Sequence, residues 1–290
     1  MSDEAPDELL DLIAGEPDSA FEDFFDPAEF ETRAWLEDQH YWHLYRRDVI
    51  LDVLRAAGAD GATSLLELGC GAGTVATYLN ENGLRVDYGD VHRQALDFAR
   101  ARAQARLPAG QVRRFVRVDI TRQLPPGDYD GVLLLDVLEH LPDPHGVMRA
   151  VRGLLERSAA SRGPAARPFV LFTVPAFQML WSPFDDRERH KRRYTVASAR
   201  ALATETGFTV ERATYFFAPL FFAAAAVKAA RKARALVAGP APPAEFADMV
   251  ETTNHPALNA AMLRLLSTER RWLSRGDLPL GTSILVLARP

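Results

Sequence analysis

From Glu67 to Gly73 every second residue has an unusual backbone freedom or a charge: Glu67, Gly69, Gly71 and Gly73, immediately after the apolar run 64–68. Glycine accepts positive φ and carries no Cβ, so such a turn lets a ligand lie against bare backbone. Dinucleotide folds use a related G-x-G-x-x-G turn whose amides meet a pyrophosphate at a helix N-terminus. Here the third glycine comes one place early and Thr74 stands where that fingerprint has glycine, which counts against a dinucleotide. Asp90 follows Glu67 by 23 positions, where a second strand should end. A carboxylate there is placed to accept hydrogen bonds from both hydroxyls of a ribose. The pair points to a nucleoside-type ligand, the alternative being a surface carboxylate at a strand end.

Two more acidic strand ends belong to the same edge, Asp119-Ile120 and Asp136-Val137-Leu138-Glu139-His140. Asp119 suits the amino group of a purine, with Val91 and Ile120 packed on its ring, or it serves as an ordinary loop cap. The stretch 181–195 adds Asp185, His190 and Tyr194. An imidazole takes a proton near neutral pH, so His190, with His140 nearby on the same edge, is a candidate catalytic base. Tyr194 or Asp185 would orient an acceptor. The competing reading makes these charges the solvated face of a loop that caps the next helix. The single cysteine, Cys70, excludes an internal disulfide and a multi-cysteine metal site, fits a reducing cytoplasm, and reads as a small residue packed in the glycine turn. No metal-ligating set is assigned.

The elements that must position these groups alternate in type. Short apolar runs predict strands at 64–68, 85–88, 112–118, 129–135, 169–174, 209–215 and 282–288. Helical periodicity lies between them at 74–80, 93–106, 144–156 and 196–206. That order indicates parallel β-α units packed on both faces of one sheet, an α/β doubly wound fold. Ahead of it, 35–57 reads as one or two amphipathic helices. The acidic segment 3–31, with Leu9, Leu12, Ile13, Phe21, Phe24 and Phe25 at roughly helical spacing, reads as short capping helices or a partly ordered arm. The expected division is an acidic arm and helical cap at 1–57, a ligand-binding core at 58–215, a helical insertion at 216–281 and a closing strand at 282–290. In the insertion, the apolar run 216–227 precedes Lys228, Arg231, Lys232 and Arg234. It suits a greasy lid with a cationic rim, an interfacial helix, or a core or homodimer contact; it falls short of the ~20 residues a membrane span needs.

The run Leu65-Leu66-Glu67-Leu68-Gly69-Cys70-Gly71-Ala72-Gly73-Thr74, then Asp90, then Tyr129-Asp130-Gly131-Val132 and Leu135-Asp136-Val137-Leu138-Glu139-His140-Leu141, resembles the class I S-adenosylmethionine-dependent methyltransferase superfamily. The resemblance covers about residues 40–215. It implies a seven-stranded, mostly parallel sheet whose last strand, 282–288, is antiparallel. It also implies that Glu67, Gly69 and Gly71 surround the methionine part of S-adenosylmethionine, Asp90 its ribose and Asp119 its adenine, with Asp136 and Val137 in the same pocket. His40 to Arg47 resembles the preceding helix of a branch acting on small molecules and lipids. There an aromatic and an arginine close over the cofactor, positions that Trp42 and Arg46 fill, unless they are a core residue and a surface cation. His190-x-Arg192-Arg193-Tyr194 resembles a stretch of the same branch.

The activity so implied is in-line methyl transfer to a small-molecule or lipid-like acceptor. A SAM-binding enzyme of non-methylating chemistry, or a SAM-binding scaffold without turnover, are the alternatives. The strand-four signature lacks the Asn/Asp-Pro-Pro-Tyr turn associated with base amines. Net charge is -5 over 290 residues, but residues 1–32 hold 12 of the 39 acidic groups and no Lys or Arg, leaving 27 acidic against 34 basic residues elsewhere. The mildly basic body could attract an anionic acceptor, and the whole-chain balance is a poor footprint for nucleic acid. The acidic start lacks a secretory signal pattern, so a cytoplasmic protein is expected.

Overall fold

The computed structural model describes residues 9–21, 36–108, 110–163, 165–238 and 255–290, with backbone alone over 231–238. Strands β1 (Leu9–Asp11), β2 (Ser64–Leu68), β3 (Arg85–Asp90), β4 (Phe115–Arg117), β5 (Gly131–Leu135), β6 (Phe169–Pro175), β7 (Thr209–Phe216) and β8 (Ser283–Arg289) form one sheet in the order β1-β4-β3-β2-β5-β6-β8-β7. β8 lies antiparallel between β6 and β7, and the other pairings are parallel. The expected antiparallel closing strand is therefore present.

Alternation along the strands divides the core. Leu65, Val86, Leu133, Leu171 and Leu285 pack on one face with helices α1 (Tyr41–Ala56), α2 (Thr74–Glu81) and α3 (Arg93–Arg106). Leu66, Val116, Leu134, Phe172 and Val286 pack on the other with α4 (Pro144–Arg162) and α6 (Val196–Glu205). Successive side chains of a strand point to opposite faces, so strands buried on both sides read as continuous apolar runs. The short helix α5 (Pro183–Arg187) lies in the segment after β6, and α7 (Ala218–Ala238) and α8 (Pro256–Leu273) are the helices described within the expected insertion.

The sheet has eight strands, not seven, because the acidic arm supplies β1. Leu9, Leu10 and Asp11 pair in parallel with Phe115, Val116 and Arg117. The buried Arg117 guanidinium donates to Glu16 O at 2.6 Å and Asp18 Oδ1 at 3.1 Å, and pairs with Asp11 at 3.4 Å. Neutralising that cation and covering the free edge of β4 outweigh the helical spacing of the arm's apolar residues. Asp18 also accepts from the backbone N–H groups of Arg93 and Gln94, at the N-terminus of α3. The expected roles of Phe24, Phe25, Arg231, Lys232 and Arg234 lie outside the described residues or side chains.

α8 fastens the insertion to the cap helix. Arg270 bridges Asp48 at 2.6 Å and Asp52 at 2.5 Å, and Asn259 accepts from Tyr41 N and donates to Gln39 O. Glu269, 6% exposed, accepts from Tyr45 Oη at 2.6 Å, Phe217 N at 2.6 Å and Ala218 N at 2.7 Å. It thereby satisfies otherwise unpaired amides at the start of α7.

Candidate active site

The glycine turn sits between β2 and α2, at the carboxyl edge of the sheet. Gly69, Gly71 and Gly73 have φ of 77°, 53° and 73°. A Cβ on Gly69 would come 2.5 Å from Val137, whereas one on Gly71 meets nothing within 4 Å, so Gly71 leaves the wall open to a ligand. Gly73 does not line the cavity: a Cβ there would meet Ala99 at 2.6 Å, and its smallness instead lets α2 pack on α3.

Above the turn is a cavity of about 390 Å³, within the range of small-molecule sites. It runs along the edge of the sheet. Asp90, at the end of β3, accepts from Gly71 N at 2.8 Å and from His92 N at 2.9 Å. Its oxygens retain lone pairs for a ligand. Val91, Asp119, Ile120, Asp136 and Val137 line the same wall. Asp119 is also engaged locally, accepting from Thr121 N at 2.9 Å and Thr121 Oγ1 at 2.6 Å and pairing with Arg122 at 2.9 Å, which is the loop-capping geometry.

Arg46 from α1 reaches the wall and pairs with Asp136 at 2.6 Å, so in this state its partner is a protein carboxylate. Asp136 holds φ of 56°, uncommon for a residue with a Cβ. Trp42 lines the cavity and stacks on Phe217 with ring centroids 5.4 Å apart and planes 3° apart. It is thus wall and packing residue at once. Two buried atoms here lack hydrogen-bond partners among the described residues, Glu67 Oε2 and Arg46 Nε. Burial pushes the Glu67 carboxyl up from 4.5 to about 8, against the pull of Arg46. A buried carboxyl with one oxygen to spare and a guanidinium with one nitrogen to spare, on one wall, suit the amino and carboxylate groups of an amino-acid moiety.

The far end holds Glu139, His140 and His190. His190 Nδ1 lies 2.9 Å from Asp185 Oδ1, and Arg193 bonds the same carboxylate at 2.7 and 2.9 Å. The bonds from His190 and Arg193 hold the Asp185 carboxyl down at about 2 although burial opposes it. His140 and His190 meet edge to face with centroids 4.8 Å apart. Glu139 is fully buried, both its oxygens lack partners among the described residues, and burial followed by repulsion from Asp136 pushes its carboxyl well up.

Tyr194 does not join them. Its hydroxyl donates to Leu138 O at 3.4 Å, its ring is buried, and it is absent from the cavity wall. Acceptor orientation by Tyr194 is therefore corrected to support of the turn after β5. Asp185 orients His190 and Arg193 in place of an acceptor. Sequence reasoning missed Glu37, which accepts from Thr74 Oγ1 and lines the wall; no motif marks it, and it arrives from distant chain. Leu220, Ala224 and Val227 of α7, within the apolar run expected as a lid or a core contact, also line the cavity.

The family described as "Methyltransferase domain" matches residues 66–159. A ubiquinone biosynthesis O-methyltransferase of Sodalis glossinidius is 32% identical over 119 residues, 40% of this chain and 45% of that protein. The enzyme of the same name from Aeromonas salmonicida is 26% identical over 163 residues, 54% of this chain and 67% of that one. The chain spans about half the length of the curated relatives it matches. Among solved structures, magnesium protoporphyrin IX methyltransferase from Synechocystis with bound SAM is similar with a TM-score of 0.50 and 19% identity, over 69% of this chain and 90% of that one. Phosphoethanolamine N-methyltransferase 2 of Haemonchus contortus in complex with S-adenosyl-L-methionine also gives 0.50, at 15% identity over 83% and 52%. Both likenesses are of fold. Residues 66–159 thus match a methyltransferase domain, and the strand order and the glycine turn with Asp90 beside it agree with the resemblance to the class I S-adenosylmethionine-dependent superfamily.

Proposed function

We propose that the protein is an S-adenosylmethionine-dependent methyltransferase acting on a small-molecule or lipid-like acceptor. The observation that carries this is the single cavity running from Gly71 and Asp90 at one end to Glu139, His140 and His190 at the other. It offers adjoining places for a nucleoside, an amino-acid moiety and an acceptor.

In this reading Asp90 holds the ribose, Val91 and Ile120 flank the adenine beside Asp119, and Glu67 and Arg46 take the amino and carboxylate groups. When bound, the cofactor supplies a methyl group already activated on a sulfonium, so the protein's task is alignment. The apolar residues Leu220, Ala224 and Val227 exclude water from the acceptor side. His190, with Nδ1 held by Asp185, keeps Nε2 to receive a proton from an acceptor that binds protonated. The ubiquinone-pathway O-methyltransferases among the relatives support a hydroxyl acceptor.

Among the described residues no helix is long and apolar enough to cross a membrane. Phe222 and Met179, 62% and 63% exposed, support peripheral contact with a lipid surface through 216–238 as the route of an apolar acceptor. A cytoplasmic location and a homodimer through the exposed Leu258, Leu265 and Trp272 of α8 complete the proposal. Calorimetric titration with S-adenosylmethionine and S-adenosylhomocysteine tests the core of it. Binding of both is expected, and binding of neither overturns the reading.

A further inference from the structure

We propose that Glu139, His140 and His190 form a binding site for a divalent transition-metal ion of the zinc class at the acceptor end of the cavity. One ligand atom from each lies within 4.8 Å of the others. Ligands of one tetrahedral ion with bonds of about 2.1 Å stand about 3.4 Å apart. Loading thus draws the three inward by about an ångström, a movement within reach of side-chain torsions.

Two further features point to an ion. Glu139 is 0% exposed, lines the cavity, and has two carboxylate oxygens without hydrogen-bond partners among the described residues. A buried carboxyl with neither oxygen hydrogen-bonded is costly, and a cation would take the place of its proton and satisfy those oxygens. His190 is prepared as a ligand because Asp185 holds its Nδ1 at 2.9 Å, the carboxylate-histidine arrangement that fixes the tautomer of metal-bound imidazoles and leaves Nε2 for the ion. Asp185 is itself fixed by both contacts from Arg193, so the support is rigid. The donor set of two imidazoles and one carboxylate selects zinc, cobalt, iron or manganese over magnesium or calcium.

Three protein ligands leave one position open, as in catalytic zinc sites. The wall faces the acceptor space, so a hydroxyl acceptor would fill it. The cation would favour that hydroxyl as its oxyanion, the O–H proton being given up to solvent as the acceptor enters and before the apolar side closes over it, and His190 would serve as ligand in place of base. This role rests on the methyltransferase reading; the binding of the ion does not.

The test is calorimetric titration of the untagged, metal-free chain with Zn²⁺, with Co²⁺ as a spectroscopic probe. The expected result is one equivalent bound, with a visible absorption band for Co²⁺. Glu139→Gln and His190→Gln should each weaken Zn²⁺ binding more than tenfold, and Asp185→Asn by about 10- to 100-fold. Circular dichroism checks the fold of each variant, and if Glu139→Gln does not fold, His190→Gln and the Co²⁺ band decide. No Zn²⁺ binding, or equal affinity in wild type and folded variants, overturns the proposal. S-adenosylhomocysteine is titrated in parallel: loss of Zn²⁺ binding with that ligand still bound sinks the metal site alone, and the reverse sinks the methyltransferase reading alone.

Discussion

Asp90 joins the sequence motif to the cavity, since the same carboxylate fixes the glycine turn through Gly71 N and faces the ligand space. Asp90→Ala should weaken S-adenosylmethionine and S-adenosylhomocysteine binding by about 1.5–3 kcal/mol, the value of hydrogen bonds to a charged group. Calorimetry reads this directly, and unchanged affinity would remove Asp90 from the site. His190→Ala acts at the other end. It should lower turnover by about 10²-fold or more while S-adenosylhomocysteine affinity stays within about twofold, because the ring lies away from the nucleoside wall. Loss of cofactor affinity in that variant would make His190 a structural support of the loop.

At the scale of elements, the insertion is held to the core by half-exposed Arg270 bridges and by one buried carboxyl, Glu269. Glu269 joins α1, α7 and α8 through Tyr45, Phe217 and Ala218, and Phe217 in turn backs Trp42 on the cavity wall. Glu269→Ala strands two amides and a phenol, and should cost about 3 kcal/mol in a denaturant titration. Because Asp90 and Gly71 lie on other elements, S-adenosylhomocysteine binding should suffer less than the KM for the acceptor. A variant as stable as wild type would show that the α7 start is satisfied by water. The arm is tied down in the same manner by Arg117, whose buried guanidinium needs Asp11 and Asp18.

Across the whole molecule, two buried carboxyls impose opposite pH dependences. Glu67 rises from 4.5 to about 8 on folding, so between those values the native protein binds more protons than the unfolded chain. Its contribution to stability therefore falls as pH rises through that window. Asp185 drops from 3.8 to about 2, so its contribution is present above 3.8 and is lost as pH falls towards 2. Denaturation midpoints against pH should show the first slope vanish in Glu67→Gln and the second in Asp185→Asn. A bound cation near Glu67 favours the carboxylate, so S-adenosylmethionine binding at pH 7 should release protons. Titrations in buffers of different ionisation enthalpy measure this, and proton uptake would contradict the amino-group assignment.

The sequence by itself determined the parallel core, the glycine turn, Asp90 and the Asp136 to His140 turn. These features are local: strand periodicity, a backbone freedom only glycine has, and a carboxylate one β-α unit further on. What only the tertiary structure decided came from distant chain. Three residues of the arm became a strand because β4 offered an edge and a buried arginine, a context no helical spacing contains. Tyr194 and His190 lie four residues apart in one loop, yet the path of the chain buries one behind Leu138 and sets the other on the cavity wall. Glu139 and His140 were visible as a motif, but their meeting with His190 depends on the segment after β6 folding back over the turn after β5, fastened by Lys191 N donating to Glu139 O at 2.8 Å. Local pattern encodes elements and turns; the pairing of groups fifty residues apart is set by packing, which has no local signature.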